Sequence, residues 1–197
     1  LGLAGGIGGG KSAVASLLRE LGFVISDSDA GAREVLKRAD VIEELVTAFG
    51  PGVLNEDGAP DRQGIADAVF ENDEARRTLE SIIHPRLHRA RADLISQARS
   101  DGARGVIIDA PLLFEAGVDA ECDAVIFVDT PRSMRLQRVR EGRGWSEAEL
   151  DRREAAQLPV DQKRDRSDAV VANDGDLHAL RQRVESALKA LETRAKR

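Results

Sequence analysis

The run Gly5-Gly6-Ile7-Gly8-Gly9-Gly10-Lys11-Ser12 constrains this chain more than any other stretch, because it fits G-x-x-x-x-G-K-[ST] between a short apolar segment and an amphipathic one. Glycines let successive backbone N–H groups turn inward on a phosphate chain, and the helix that follows directs its positive dipole end at the same anions. In such a loop Lys11 reaches the outer phosphates, the Ser12 hydroxyl ligates Mg²⁺, and Gly6, Ile7, Gly8, Gly9, Gly10 and Ala13 border the bound nucleotide. A plain strand-to-helix turn also uses glycine, but it does not need Lys and Ser in register. The expectation is a nucleoside-triphosphate enzyme.

The rest of the chain limits what can surround that loop. Its 197 residues suffice for one compact α/β domain with small insertions. With 42% hydrophobic and 32% charged residues and no long apolar run, a soluble, cytoplasmic protein with no membrane span is expected. The lone Cys122 has no cysteine partner, which suits a reducing compartment and a small packed side chain. A formal charge of −6, 3% aromatics and no Tyr argue against a nucleic-acid partner. Nothing points to an obligate protein partner.

Short apolar runs alternate with helical patterns, the sequence form of a parallel sheet covered by helices. Strands are expected at 1–4, 23–26, 106–110, 124–129 and 169–172. Helices are expected at 10–21, 29–38, 41–49, 62–70, 73–83, 85–100, 131–142, from Ser146 to 157, and at 176–196. The helical block between the second and third strands is too long for a simple crossover and reads as an inserted acceptor-binding subdomain. The fold class expected is therefore α/β, a three-layer P-loop NTPase domain. Its core takes in 1–38, 101–131 and 167–197, with the insertion at about 39–100 and a helical lid at about 132–166.

Asp27-Ser28-Asp29 closes the second strand, where the carboxyl ends of an open α/β sheet line the ligand crevice. One carboxylate could accept the proton of an attacking hydroxyl while the other orients metal-bound water. Capping of the next helix by Asp29 is the structural alternative; it accounts for one aspartate and leaves Asp27 unexplained. Asp109 stands at a third strand end, near a metal or in a turn. Arginines crowd at Arg132, Arg135, Arg138, Arg140, Arg143, Arg152 and Arg153, on two helices joined by 141–145. A mobile lid that neutralises phosphoryl charge needs one or two of them. The acidic neighbours Glu141, Glu147, Glu149, Asp151 and Glu154 mark the others as a solvated face with ion pairs.

Together these pieces resemble one family, dephospho-coenzyme A kinase. The stretch Gly2-Leu3-Ala4-Gly5-Gly6-Ile7-Gly8-Gly9-Gly10-Lys11-Ser12-Ala13-Val14-Ala15 is similar to that family's Gly-Leu-Thr-Gly-Gly-Ile-Gly-x-Gly-Lys-Ser-Thr-Val-Ala opening. The likeness continues through Asp27-Ser28-Asp29, Ala32-Arg33-Glu34-Val35, His84-Pro85 and Asp109-Ala110-Pro111-Leu112-Leu113-Phe114-Glu115. It closes with Gln157-Leu158-Pro159, Lys163-Arg164, Asp168 and Asn173-Asp174-Gly175, covering nearly the whole chain. Ala4 and Ala13 stand where Thr is usual, leaving Ser12 alone for the metal. A lid arginine common in the family falls at Gly142, with Arg143 one place later.

The resemblance implies transfer of the γ-phosphoryl of ATP to the ribose 3′-hydroxyl of dephospho-coenzyme A, the last step of coenzyme A synthesis. It implies Asp29 as base or hydroxyl orienter with Asp27 assisting, Lys11 on the phosphates, Ser12 on Mg²⁺ and Arg138 as the charge-neutralising arginine. Arg33, His84 and the loop Pro111, Leu112, Leu113 and Glu115 would line the acceptor pocket, and Asn173 would border the adenine. For His84 a helix-start role before Pro85 competes, and for Asn173 a turn. Another small-molecule P-loop kinase, acting on a nucleoside monophosphate or a sugar, would share the loop, the aspartate pair and the lid. A GTPase would want Asn-Lys-x-Asp, which Ala172-Asn173-Asp174-Gly175 does not supply.

Overall fold

Five apolar runs form strands: β1 (Gly2–Gly5), β2 (Phe23–Asp27), β3 (Gly105–Asp109), β4 (Val125–Asp129) and β5 (Ala169–Ala172). A computed structural model describes residues 1–70 and 72–195. Its helices are α1 (Lys11–Glu20), α2 (Ser28–Leu36), α3 (Ala39–Phe49), α4 (Arg62–Val69), α5 (Asp73–Ser100), α6 (Arg132–Arg143), α7 (Glu147–Ala155), α8 (Val160–Asp165) and α9 (Leu177–Ala195). The strands make one sheet in the order β2-β3-β1-β4-β5. β1 pairs in parallel with both β3 and β4, and β4 with β5, so Gly2 lies between Ile108 and Val125.

Both faces of the sheet are covered, which is why its strands are continuous apolar runs rather than alternating ones. On one face Leu3, Ile107, Ile126, Val128 and Val171 pack with Val14, Leu17 and Leu18 of α1 and with Leu180, Val184 and Leu188 of α9. Their strand neighbours Ala4, Ile108, Val125 and Phe127 turn to the other face and meet Leu113, Phe114, Leu158 and Val160. The segment after β1 thus covers one face, while the segment after β4 reaches the other. Adjacent strands whose continuations diverge in this way open a crevice at their carboxyl ends, and residues 5–12 leave β1 at that point.

The chain forms two compact units, Leu1–Ser26 with Ala98–Arg197, and Asp27–Gln97. In the second, Val35 of α2 is buried with Val41, Leu45, Val53, Ile65 and Ile82 in a core of that unit's own. There Arg86 of α5 holds Asp40 and Glu44 of α3 at 3.1 and 2.6 Å.

Three expected elements differ. Segments 73–83 and 85–100 form a single helix, α5, with Pro85 inside it. Pro85 removes one N–H donor, but Leu79, Ile82, Ile83 and Leu87 carry one apolar stripe across it into the same core. The Arg86 guanidinium also donates to the Ile82 carbonyl at 2.7 Å. The helix opened by Ser146, whose hydroxyl accepts from the Glu149 N–H at 3.2 Å, stops at Ala155, short of 157. The short helix α8 after Pro159 was not expected; its six residues are too few to show a helical period. The closing helix α9 matches the expected 176–196, with Lys196 outside the described residues. No helix among the described residues is long and apolar enough to cross a membrane.

Candidate active site

Gly10 caps the start of α1 in the left-handed region, at φ 81°, and Gly8 has φ 73°. Both positions are closed to side chains on steric grounds as well. A Cβ on Gly10 would lie 2.3 Å from Asn173 Nδ2, and one on Gly8 would lie 2.8 Å from the Arg135 carbonyl oxygen. The stem of Lys11 runs back along the strand end, its Cγ 3.4 Å from where a Gly5 Cβ would sit. Ser12 is exposed on the first turn of α1.

The loop is held from behind by side chains remote in sequence. The Gly9 carbonyl accepts from Thr130 Oγ1 and Asn173 Nδ2, each at 2.8 Å, and from Arg138 Nη1 at 3.4 Å. Thr130 and Asn173 are buried, directly after β4 and β5. Arg135, 5% exposed, donates to the Thr130 carbonyl at 3.2 Å and the Ile7 carbonyl at 3.3 Å, and pairs with Glu154 of α7. That buried arginine is a strut between the loop and α7. Arg138, one turn further along α6, donates to the Gly9 and Asn173 carbonyls at 3.4 and 3.3 Å, both long bonds. Asn173, expected beside the adenine, donates its amide to the Gly9 carbonyl of the loop.

The remaining arginines of α6 and α7 are mostly a paired face. Arg132 bonds Glu147 at 2.6 Å and also Asp151, Arg152 and Arg153 each hold Glu149 at 2.6 Å, and Arg140 lies 3.6 Å from Glu147. Arg143 and Arg153 each lie over the Trp145 ring, at 4.8 and 4.2 Å from its centroid.

Of the segment 111–115, Pro111 and Leu112 are exposed, while Leu113, expected in the acceptor pocket, is 2% exposed and belongs to the core. Glu115 anchors this segment to the start of α8. It accepts from the Leu158 N–H at 2.9 Å and from the buried Lys163 ammonium at 2.7 Å, and Lys163 also holds Gln157 at 3.0 Å. Burial pushes the Glu115 carboxyl up, but the bonds from Lys163 and the backbone outweigh it and bring it below its ordinary value. Burial likewise pushes the Cys122 thiol up, leaving it a poor nucleophile. Asp109 ends β3, in register with Leu3 of β1.

In the unit of residues 27–97, the structure separates the two aspartates. Asp27 is the N-cap of α2, its Oδ1 accepting from the Ala30 N–H at 2.8 Å. The cap is therefore Asp27 and not Asp29, because β2 runs through Asp27 and the helix starts at Ser28. Asp29 is exposed on the first turn, and among the described residues no hydrogen bond or ion pair engages its carboxylate. Arg33 follows one turn on, exposed on the same face of α2. His84 is exposed within α5 rather than at a helix start, one turn before Leu87, whose Cδ2 lies 3.4 Å from where a Gly31 Cβ would be. Arg33 and His84 thus lie on two helices that touch.

Thr130 and Lys163 carry this geometry without having been singled out from the residues alone. Thr130 acts on a loop 121 positions away, and only the β1–β4 pairing makes them neighbours.

Comparison with known proteins bears on the family of the chain. A family model described as dephospho-CoA kinase matches residues 1–179. A dephospho-CoA kinase of Corynebacterium glutamicum is 39% identical over 189 residues, covering 95% of this chain and 97% of its own length. One from Deinococcus radiodurans is 42% identical over 192 residues, covering 98% and 92%. Among solved structures, a Thermus thermophilus protein superposes with a TM-score of 0.81 at 35% identity, covering 96% and 95%. A shikimate kinase of Bacteroides thetaiotaomicron, at a TM-score of 0.52 and 16% identity over 97% of both chains, shares the fold. By its phosphate loop, its sheet and this match over nearly its whole length, the chain belongs to the dephospho-CoA kinase family.

Proposed function

We propose that the chain transfers the γ-phosphoryl of ATP to the ribose 3′-hydroxyl of dephospho-coenzyme A in the cytoplasm, with Asp29 receiving or orienting the hydroxyl proton. The observation that carries the assignment of Asp29 is the division of labour on α2: Asp27 is engaged in capping, while Asp29 keeps both oxygens available on the next residue but one. In the transfer the bond from the γ-phosphorus to the bridging oxygen breaks and one to the 3′-oxygen forms. The hydroxyl proton leaves toward the Asp29 carboxylate.

This chemistry asks for positioning and charge, which the loop provides. Its amides and Lys11 hold the phosphates, and Arg138, whose bonds to two carbonyls are long, is the arginine best able to turn to charge developing on the transferring group. Arg33, His84, Pro111, Leu112 and Glu115 are assigned to the acceptor, Glu115 by holding the segment 111–115 in place. Among the described residues no group of three or more His, Cys, Asp or Glu side chains could hold a metal. Mg²⁺ keeps waters and phosphate oxygens and asks for one or two protein oxygens, here that of Ser12, exposed on the first turn of α1. When bound it would neutralise charge on the β- and γ-phosphates.

ADP release in the presence of ATP and Mg²⁺, measured with dephospho-coenzyme A, AMP and adenosine in turn, tests the reading. Dephospho-coenzyme A should be used much faster than the other two, because binding of the pantetheine arm, to which we assign α4 and α5, helps orient the ribose. Equal rates on AMP would turn the assignment to a nucleotide kinase.

A further inference from the structure

Gly9-Gly10 is one of the Gly-Gly peptides of the phosphate loop, with little intrinsic preference for direction, since both of its flanking residues are glycine and can absorb a peptide flip at little steric cost. A peptide unit carries its C=O and its N–H on opposite edges of one plane. Whatever fixes the Gly9 carbonyl therefore fixes the direction of the Gly10 N–H. The carbonyl is held by Thr130 Oγ1 and Asn173 Nδ2 at 2.8 Å each, from two strand ends, and by the longer bond from Arg138. Thr130 and Asn173 are 5% and 4% exposed, so water competes poorly for that carbonyl.

We propose that Thr130 and Asn173 are positioning residues for phosphate binding: by holding the Gly9 carbonyl outward, they keep the Gly10 N–H turned into the loop as a donor to nucleotide phosphates. Neither touches the nucleotide to do this. The Asn173 amide, whose Nδ2 would come within 2.3 Å of any Cβ on Gly10, also excludes side chains from the clamp. The inference rests on the reading that residues 5–12 bind a nucleoside triphosphate.

The test compares Thr130→Val, which keeps the shape and removes the hydroxyl, with Thr130→Ser, which keeps the donor. Asn173→Ala is measured alongside, each variant checked for a cooperative melt well above the assay temperature. The probes are ATP and inorganic tripolyphosphate, the second read as a competitive inhibitor against ATP. Loss of an oriented donor should weaken ATP binding about 10-fold in Thr130→Val and Asn173→Ala, and Thr130→Ser should restore it. Tripolyphosphate should weaken by the same factor, because the clamp acts on phosphate alone. If Asn173→Ala spares tripolyphosphate while weakening ATP, Asn173 contacts the base and the clamp is overturned. Equal ATP affinity in Thr130→Val and Thr130→Ser also overturns it. A wild-type protein that binds neither probe would overturn the nucleotide reading itself, and the clamp with it.

Discussion

At the scale of single residues, aspartates two positions apart do different work because one lies at a helix boundary. The Asp27 carboxylate satisfies a backbone donor that α2 would otherwise leave open, whereas Asp29 is past the cap and exposed. Asp27→Ala should therefore lower the melting temperature by about 2–4 °C, in line with a lost cap in a chain of this size. Asp29→Asn should leave melting and ATP affinity near the wild type while lowering turnover about 10²-fold or more, since only charge and basicity are lost. Steady-state kinetics with thermal denaturation on both variants separates the roles, and normal turnover in Asp29→Asn would return the proton to water or to Asp27. Lys11→Ala should nearly abolish turnover without loss of cooperative unfolding, because the ammonium serves ligand charge rather than the core. The aspartate pair was legible from the sequence as a pair. Its division was not, because the strand ends one residue later than its apolar pattern does.

At the scale of elements, the segment after β3 is tied to α8 by a half-buried carboxylate and a buried ammonium. Glu115→Gln keeps the shape and removes the charge that Lys163 is packed against. Glu115 has a folded pKa below its ordinary 4.5, so its contribution is fully present above that ordinary value and is lost as the pH falls through the lower folded one. Wild type should accordingly exceed Glu115→Gln in stability at pH 7, with the gap closing on acidification below pH about 4.5. Urea unfolding at a series of pH values measures this, and a gap unchanged at low pH would show that the ion pair does not stabilise the fold. The first and last helices were readable from their apolar period. Pro85 concealed the continuity of α5, since a local breaker was outvoted by an apolar stripe whose core lies on α2, α3 and α4.

At the scale of the whole molecule, the sheet between two apolar layers carries the stability on which the loop rests. Phe127, 0% exposed in the middle of β4, should cost about 3–5 kcal/mol when changed to Ala, through lost burial and the cavity left behind. Denaturant titration would show it, and a loss below about 1 kcal/mol would mean that the layer collapses around the gap. The strands, the phosphate loop and the family were available from sequence alone, because each is written in contiguous residues whose spacing follows from backbone geometry. Tertiary structure alone decided which arginine is a strut and which lies beside the loop. It also turned the Asn173 amide toward Gly9 and brought Thr130 across 121 positions to the same carbonyl. Those outcomes depend on which strands become neighbours and how deeply their ends are buried, and neither has a local period to read.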